Sequence, residues 1–217
     1  MPRRFVRTLV IGAVAAAVSG GIAVATTTVS NAAGCPDVDV SFARGTGEPA
    51  GLGITGTPFT RALTADLPGK TVSTFAVDYP ADVAQAGDGL GATNLSEHVE
   101  DVAAKCPETQ FVLGGYSQGA SVVDIALGIR TALGSGGTIP PALAPRVAAV
   151  AVFGNPLRLF RQSIPDASQL YGDKAIDLCN TGDPVCGNGV NIAAHLTYGT
   201  DGGATRAARF AADRVGS

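Results

Sequence analysis

Five short apolar runs along the chain alternate with segments in which apolar residues recur at helical spacing. The runs are Val38–Ala43, 71–77, Gln110–Tyr116, Val147–Phe153 and 174–178. Several are almost continuously apolar, which is typical of strands that are covered by helices on both faces of a sheet. The pattern predicts five strands.

Amphipathic segments separate these strands. Segment 94–106 places five residues on one helical stripe: Leu95, Val99, Val102, Ala103 and Cys106. Further helices are predicted over 118–133 and 203–215, and the Gly- and Pro-rich stretch 134–145 is predicted to be a long surface loop. Alternation of strands and helices predicts an α/β fold, in which helices flank a parallel sheet on both faces.

The N-terminal residues have the order of regions that characterises an export signal. Three arginines precede a weakly apolar stretch at 8–25, and small residues follow at Ala32 and Ala33. Glycine and serine at 19–21 interrupt the stretch, which favours a cleaved signal over a membrane anchor. We expect a signal peptide over 1–33, exported by either the Sec or the twin-arginine route. Residues 34–217 then form a single domain.

The net charge of the chain indicates which classes of binding partner can be expected. The chain carries 15 basic and 18 acidic residues; cleavage after Ala33 removes three arginines, which leaves 12 against 18 and a net charge of −6. There is no run of Lys or Arg and no Trp. We therefore expect no nucleic-acid partner and no stable membrane insertion after signal cleavage.

The chain contains four cysteines: Cys35, Cys106, Cys179 and Cys186. In an exported protein this number predicts two disulfides, for which three pairings are possible. The short spacing favours a local Cys179–Cys186 bridge, which leaves Cys35 for Cys106. No Cys-x-x-Cys or Cys/His cluster supports a metal site, so we expect no metal.

A Gly-x-Ser-x-Gly pattern in "GGYSQGAS" carries the first candidate chemistry, at Gly115, Ser117 and Gly119. The pattern alone is weak, but here an apolar strand enters it and a helix leaves it, as a nucleophile elbow requires. A serine that only caps the helix would not need glycine on both sides. Ser117 is therefore the predicted nucleophile.

A serine nucleophile needs a general base, and the chain has only two histidines. His98 lies on the amphipathic helix before the serine and is interpreted as a solvated residue of the helix face. His195 follows the fifth strand, where the base of α/β-hydrolases is found in chain order. We predict that His195 is the base.

The acid of such a triad lies between the serine and the histidine in the chain. Five aspartates fall there: Asp124, Asp166, Asp173, Asp177 and Asp183. Asp183 alone lies beyond the end of the fifth strand and between two cysteines. A local disulfide would fix its backbone, as an acid that orients the imidazole requires. The backbone N–H of Gln118 is the predicted first oxyanion donor, and the loop "ARGTGEP" is expected to supply a second.

The segments "FARGTGEP", "GGYSQGAS", "CNTGDPVC" and "AAHLTYG" together resemble the cutinase family, particularly the secreted esterases of mycobacteria and related actinobacteria. The resemblance covers essentially residues 34–217. It implies an α/β-hydrolase core with a five-stranded parallel sheet and no large lid, and the disulfides Cys35–Cys106 and Cys179–Cys186.

The resemblance also implies site residues: the triad Ser117, Asp183 and His195, with oxyanion donors on Gln118 and Thr46. Threonine stands at 46 where fungal cutinases have serine. Members of the family differ in their substrates, which include cutin polyester, short- to medium-chain acyl esters, acetylated xylan and lipids. We expect a secreted monomer that needs no cofactor and acts on an ester substrate, with cell-wall association left open.

Two other classes of function, a dinucleotide-dependent oxidoreductase and a binding protein, are alternatives. "GLGITG" has the Gly-x-Gly-x-x-Gly spacing of a dinucleotide site at Gly51, Gly53 and Gly56. Its first glycine does not follow the strand directly, which argues against an oxidoreductase. A non-enzymatic secreted binding protein remains an alternative, but such a protein need not retain all three triad residues.

Overall fold

The computed structural model describes residues 34–216. The expected signal peptide at 1–33 lies outside the described residues. Five strands occur where the apolar runs predicted them: β1 (Val38–Ala43), β2 (Val72–Ala76), β3 (Gln110–Tyr116), β4 (Val147–Phe153) and β5 (Ala175–Leu178). They form one parallel sheet in the order β2-β1-β3-β4-β5. The predicted α/β fold is confirmed.

Six α-helices surround the sheet: α1 (Gly53–Asp66), α2 (Asp88–Lys105), α3 (Gln118–Ala126), α4 (Ile164–Ala167), α5 (Ile192–His195) and α6 (Gly203–Ala212). The core is divided by the sheet into two clusters. Helices α2 and α3 contribute to the cluster on one face, and α1 and α6 to the cluster on the other. Coverage of both faces explains why β1, β3 and β4 are almost entirely buried.

Helix α1 was not predicted, and two local expectations were wrong. Helix α3 ends at Ala126 and not at residue 133, because Gly128 adopts a left-handed φ of +77°. The segment 134–145 contains a 3-10 helix at Pro141–Arg146 and is not wholly an irregular loop. Each difference falls at a helix end or in a connection, where the apolar pattern carries least information.

Two disulfides join the expected pairs. Cys35 is bonded to Cys106, and Cys179 to Cys186, seven positions apart. The first ties the start of β1 to the end of α2, and the second closes the loop after β5. Both sulfurs near Asp183 are therefore used in a disulfide, which leaves no thiolate there to ligate a metal.

None of the helices between residues 34 and 216 is sufficiently long and apolar to span a bilayer.

Candidate active site

Ser117 lies in the turn between β3 and α3 and has a strained backbone, with φ 55° and ψ −117°. The two neighbouring glycines are required by contacts. A Cβ on Gly115 would collide with the carbonyl of Gly119, and a Cβ on Gly119 would collide with the carbonyl of Ala43. Such a tight strand-to-helix turn is a nucleophile elbow, and it leaves Ser117 partly exposed.

The three predicted triad residues are joined by hydrogen bonds. Ser117 Oγ lies 2.8 Å from Nε2 of His195, and Nδ1 of His195 lies 2.8 Å from Oδ2 of Asp183. An ionised carboxylate only accepts hydrogen bonds, so Nδ1 carries the hydrogen and Nε2 is free to accept from the serine. This is the tautomer that a general base requires.

Asp183 is fully buried, and hydrogen bonds hold both its carboxylate and its backbone. Oδ1 accepts a hydrogen bond from the N–H of Val185 at 2.8 Å. Oδ2, which already receives His195, also accepts from the hydroxyl of Tyr198 at 2.6 Å. The carbonyl of Asp183 accepts from the N–H of Gly187, just past the disulfide. The acid thus occupies a fixed position inside the disulfide-closed loop.

Two tyrosines that received no role from the sequence support the histidine. The hydroxyl of Tyr116 donates to the carbonyl of His195 at 2.9 Å, and its ring centroid lies 5.0 Å from the imidazole. Tyr198 presents its ring edge to the same imidazole at 6.2 Å. Burial raises the pKa of both phenols, so each stays a protonated donor. Tyr116 lies within "GGYSQGAS" and Tyr198 within "AAHLTYG", so their positions in these motifs could have indicated a role in the site.

The loop after β1 brings Thr46 to the serine. Gln118 is the first residue of α3, so its backbone N–H has no acceptor within the helix. The hydroxyl of Thr46 donates to the side-chain Oε1 of Gln118 at 2.9 Å. Glu48, also missed by sequence reasoning, holds the loop by accepting from the N–H groups of Gly45 at 2.5 Å and Ile54 at 2.7 Å.

His98 lies apart from this site, as expected, but its environment was not correctly predicted. It is mostly buried, stacks on Phe75 at 3.7 Å between ring centroids, and its Nε2 lies 2.9 Å from Oδ1 of Asp39. It is a packing residue between α2 and the sheet and not a solvated one.

The position of helix α1 argues against a dinucleotide-binding site at "GLGITG". The helix begins at Gly53, inside the pattern, and β1 ends at Ala43, well before Gly51. A dinucleotide fingerprint needs its first glycine directly after the strand. Gly56 has a packing role instead, because a Cβ there would lie 2.5 Å from the ring of Phe42.

Comparison with known proteins identifies the family that this chain resembles. A family model described as Cutinase matches residues 34–215. A cutinase of Kineococcus radiotolerans is 56% identical over 186 residues, which cover 85% of this chain and 63% of the relative, so the chain spans less than two thirds of that protein. A probable carboxylesterase, Culp3, of Mycobacterium tuberculosis is 44% identical over 194 residues, 87% of this chain and 73% of the relative.

Among solved structures, a Trichoderma reesei cutinase bound to a phosphonate inhibitor is 32% identical. The alignment covers 84% of this chain and 78% of that one, with a TM-score of 0.66. The matched family model and these relatives together show that the chain belongs to the cutinase family of carboxylic ester hydrolases.

Proposed function

We propose that the protein is a secreted serine esterase that cleaves carboxylic esters through Ser117, His195 and Asp183. The observation that carries the proposal is the continuous pair of 2.8 Å contacts from the serine oxygen through both imidazole nitrogens to the buried carboxylate. The phosphonate inhibitor in the related Trichoderma reesei structure is consistent with a nucleophilic site.

The reaction proceeds in two acyl-transfer steps. Ser117 Oγ attacks the ester carbonyl carbon while its proton passes to Nε2 of His195. Asp183 stabilises the resulting imidazolium through Nδ1. Nε2 then gives the proton to the leaving alcohol as the C–O bond breaks, which leaves an acyl group on Ser117. A water molecule that loses its proton to Nε2 attacks this acyl group, and the acid departs as the serine is reprotonated.

Charge on the carbonyl oxygen develops beside the N terminus of α3. The backbone N–H of Gln118 and the groups of Thr46 are the donors we assign to this oxyanion. Fixed donors at that position stabilise the transition state more than the neutral substrate. The strained turn at Ser117 and the hydrogen bonds of Glu48 keep them in place before the substrate arrives.

The substrate class we propose is cutin-type polyester or short- to medium-chain acyl esters. The test is hydrolysis of p-nitrophenyl esters from acetate to palmitate by protein taken from the culture medium. N-terminal sequencing of the same sample checks export, because cleavage after Ala32 or Ala33 starts the chain at Ala33 or Gly34. A rate of ester hydrolysis that is highest for butyrate to hexanoate supports the proposed substrate class. A peak at acetate would favour an acetylxylan-type deacetylase, and a peak at long chains would favour a lipase or phospholipase.

Ser117→Ala and His195→Ala are each expected to lower kcat/KM by at least about 10³-fold, because either change removes the nucleophile or its base. Matched controls are Ser121→Ala, a buried serine one turn further along α3, and His98→Gln, which can still donate to Asp39. Both controls should remain within about threefold of the wild type. Near-normal turnover by Ser117→Ala would refute the mechanism, and an inactive wild type would favour a binding protein.

A further inference from the structure

Asp88 is a buried acid that the mechanism above does not use. It is the first residue of α2 and is fully buried, yet its side chain does not cap the helix. Oδ1 accepts a hydrogen bond from Nε2 of Gln118 at 2.7 Å. Oδ2 has no hydrogen-bond partner among residues 34–216. Burial of an incompletely paired carboxyl is costly, so a role in the neighbouring site is worth testing.

The side chain of Gln118 connects Asp88 to the oxyanion donors. Its amide is almost fully buried and has one partner at each end. Nε2 donates to Asp88, and Oε1 accepts from the hydroxyl of Thr46 at 2.9 Å. A three-residue chain therefore runs from the buried acid to a proposed oxyanion donor.

We propose that Asp88 is a positioning residue of the oxyanion site, which sets, through the amide of Gln118, whether the hydroxyl of Thr46 can donate to the substrate. This inference rests on the proposed esterase function and goes beyond it.

The protonation state of Asp88 determines which end of the Gln118 amide it can bind. An ionised Asp88 can only accept, so it requires the NH₂ end of Gln118. Oε1 then faces Thr46, and the single hydroxyl hydrogen of Thr46 is used on Oε1. This is the arrangement in the structure.

A protonated Asp88 permits the opposite arrangement. Its O–H can donate to Oε1 after the amide of Gln118 has rotated by half a turn. The NH₂ end then donates to the oxygen of Thr46, whose own hydrogen is released toward the oxyanion. The proton stays on Asp88 throughout, and no covalent bond is made or broken.

The surroundings of Asp88 place this change in an accessible range of pH. Burial raises the pKa of Asp88 to about 6, and the Gln118 hydrogen bond opposes that rise while Asp82 adds to it. Tyr79 and Asp82 face it from the segment after β2, and Gln118 faces it from α3. Arg44 and Glu48 are the charged groups around Tyr79, and they shift the pKa of Tyr79 in opposite directions. Gly134, the neighbour from the loop after α3, adds no charge.

The experiment compares wild type with Thr46→Val in kcat/KM for one ester across pH 5 to 8. Both enzymes share all the other groups of the site, so a pH dependence common to the two cancels in their ratio. The ratio of wild-type kcat/KM to that of Thr46→Val should approach about 10²-fold at pH 5, which is the effect of removing one oxyanion donor. The ratio should be smaller by about tenfold or more at pH 8. Thr46→Ser, which retains the hydroxyl, should show the pH dependence of the wild type, whatever its absolute kcat/KM. A ratio that is constant from pH 5 to 8 would overturn the proposal.

The second arm repeats the ratio in an Asp88→Asn background. Asparagine has the same shape and cannot ionise in this range, so the cost of Thr46→Val should no longer depend on pH. Persistence of the pH dependence in that background would also overturn the role of Asp88. If Asp88→Asn fails to fold, the first arm still decides the proposal. The Ser117→Ala result is separate: hydrolysis that depends on Ser117 with a flat ratio rejects only the role of Asp88.

Discussion

At the scale of single residues, the triad depends on groups that the triad itself does not include. Tyr198 donates to the same carboxylate oxygen that receives His195, and it accepts from the N–H of Asn180 at 2.9 Å. One hydroxyl therefore joins the end of β5, the acid and the base. Tyr171 is a contrasting case, because its hydroxyl is buried without a hydrogen-bond partner in the described part of the chain.

This contrast gives a matched pair of substitutions. Tyr198→Phe removes a hydrogen bond to a charged group and takes the partner from the partly buried N–H of Asn180, so it should destabilise the protein by about 1.5–3 kcal/mol. It should also lower kcat, since Asp183 loses one of its fixed partners. Tyr171→Phe should leave stability and turnover nearly unchanged. Denaturant unfolding and ester hydrolysis measure both, and equal losses in the two variants would contradict this role of Tyr198.

At the scale of elements, the five strands and the order of the triad were predictable, but helix α1 was not. The strands are buried on both faces, so their apolar runs are unambiguous. Helix α1 contains glycine, Pro58 and several threonines, and its apolar stripe is weak. It is held by packing of Phe59 and Leu63 into the same cluster as Phe42 and α6, which is tertiary information that no local pattern contains.

The same limit applies within the site. Ser117, His195 and Asp183 could be found because their chemistry, chain order and flanking elements are each recognisable. Asp88 could not, because it lies at the start of α2 and its hydrogen bond to the site is made with the side chain of Gln118, 30 positions away. Contacts between distant segments of this kind appear only when the sheet has been assembled.

We expect the two disulfides to differ in what they contribute: one mainly stabilises the fold, and the other mainly supports activity. On the chain-entropy relation, the Cys35–Cys106 bridge, whose ends are 71 positions apart, contributes about 4 kcal/mol, and the Cys179–Cys186 bridge, whose ends are seven positions apart, about 2.4 kcal/mol. Cys35→Ser/Cys106→Ser should therefore lose more stability. Cys179→Ser/Cys186→Ser should lose more activity, because Asp183 lies inside its loop. Thermal unfolding and kcat/KM on the folded variants test this, and full activity in a folded Cys179→Ser/Cys186→Ser protein would refute it.

At the scale of the whole molecule, a second group of buried acids lies outside the proposed triad. Asp124 on α3 and Asp177 on β5 are both within reach of Asn155, whose Nδ2 lies 3.4 Å and 3.0 Å from them. Arg158 reaches Asp177 Oδ1 at 3.5 Å. Burial raises the pKa of Asp177 to about 6 and that of Asp124 well above its ordinary value, with Asp177 adding to the latter.

These three buried acids determine whether their contribution to the free energy of unfolding rises or falls with pH. Asp88, Asp124 and Asp177 all have a pKa that is higher in the folded protein than the ordinary 3.8 of an aspartate. The folded state therefore binds more protons, and its stability falls as pH rises from about 4 through the folded values. Each group changes the free energy of unfolding by at most about 1.4 kcal/mol per pH unit in that window.

Asp124→Asn should remove the largest part of this dependence, because Asp124 is the most completely enclosed of the three acids and asparagine keeps its shape without its charge. The variant should gain stability relative to wild type as pH rises from 5 to 8, in urea unfolding at each pH. Asp66→Asn, at the exposed end of α1, is the control and should follow the wild-type curve. An Asp124→Asn curve parallel to that of the wild type would mean that Asp124 is ionised in the folded protein, stabilised there by Asn155.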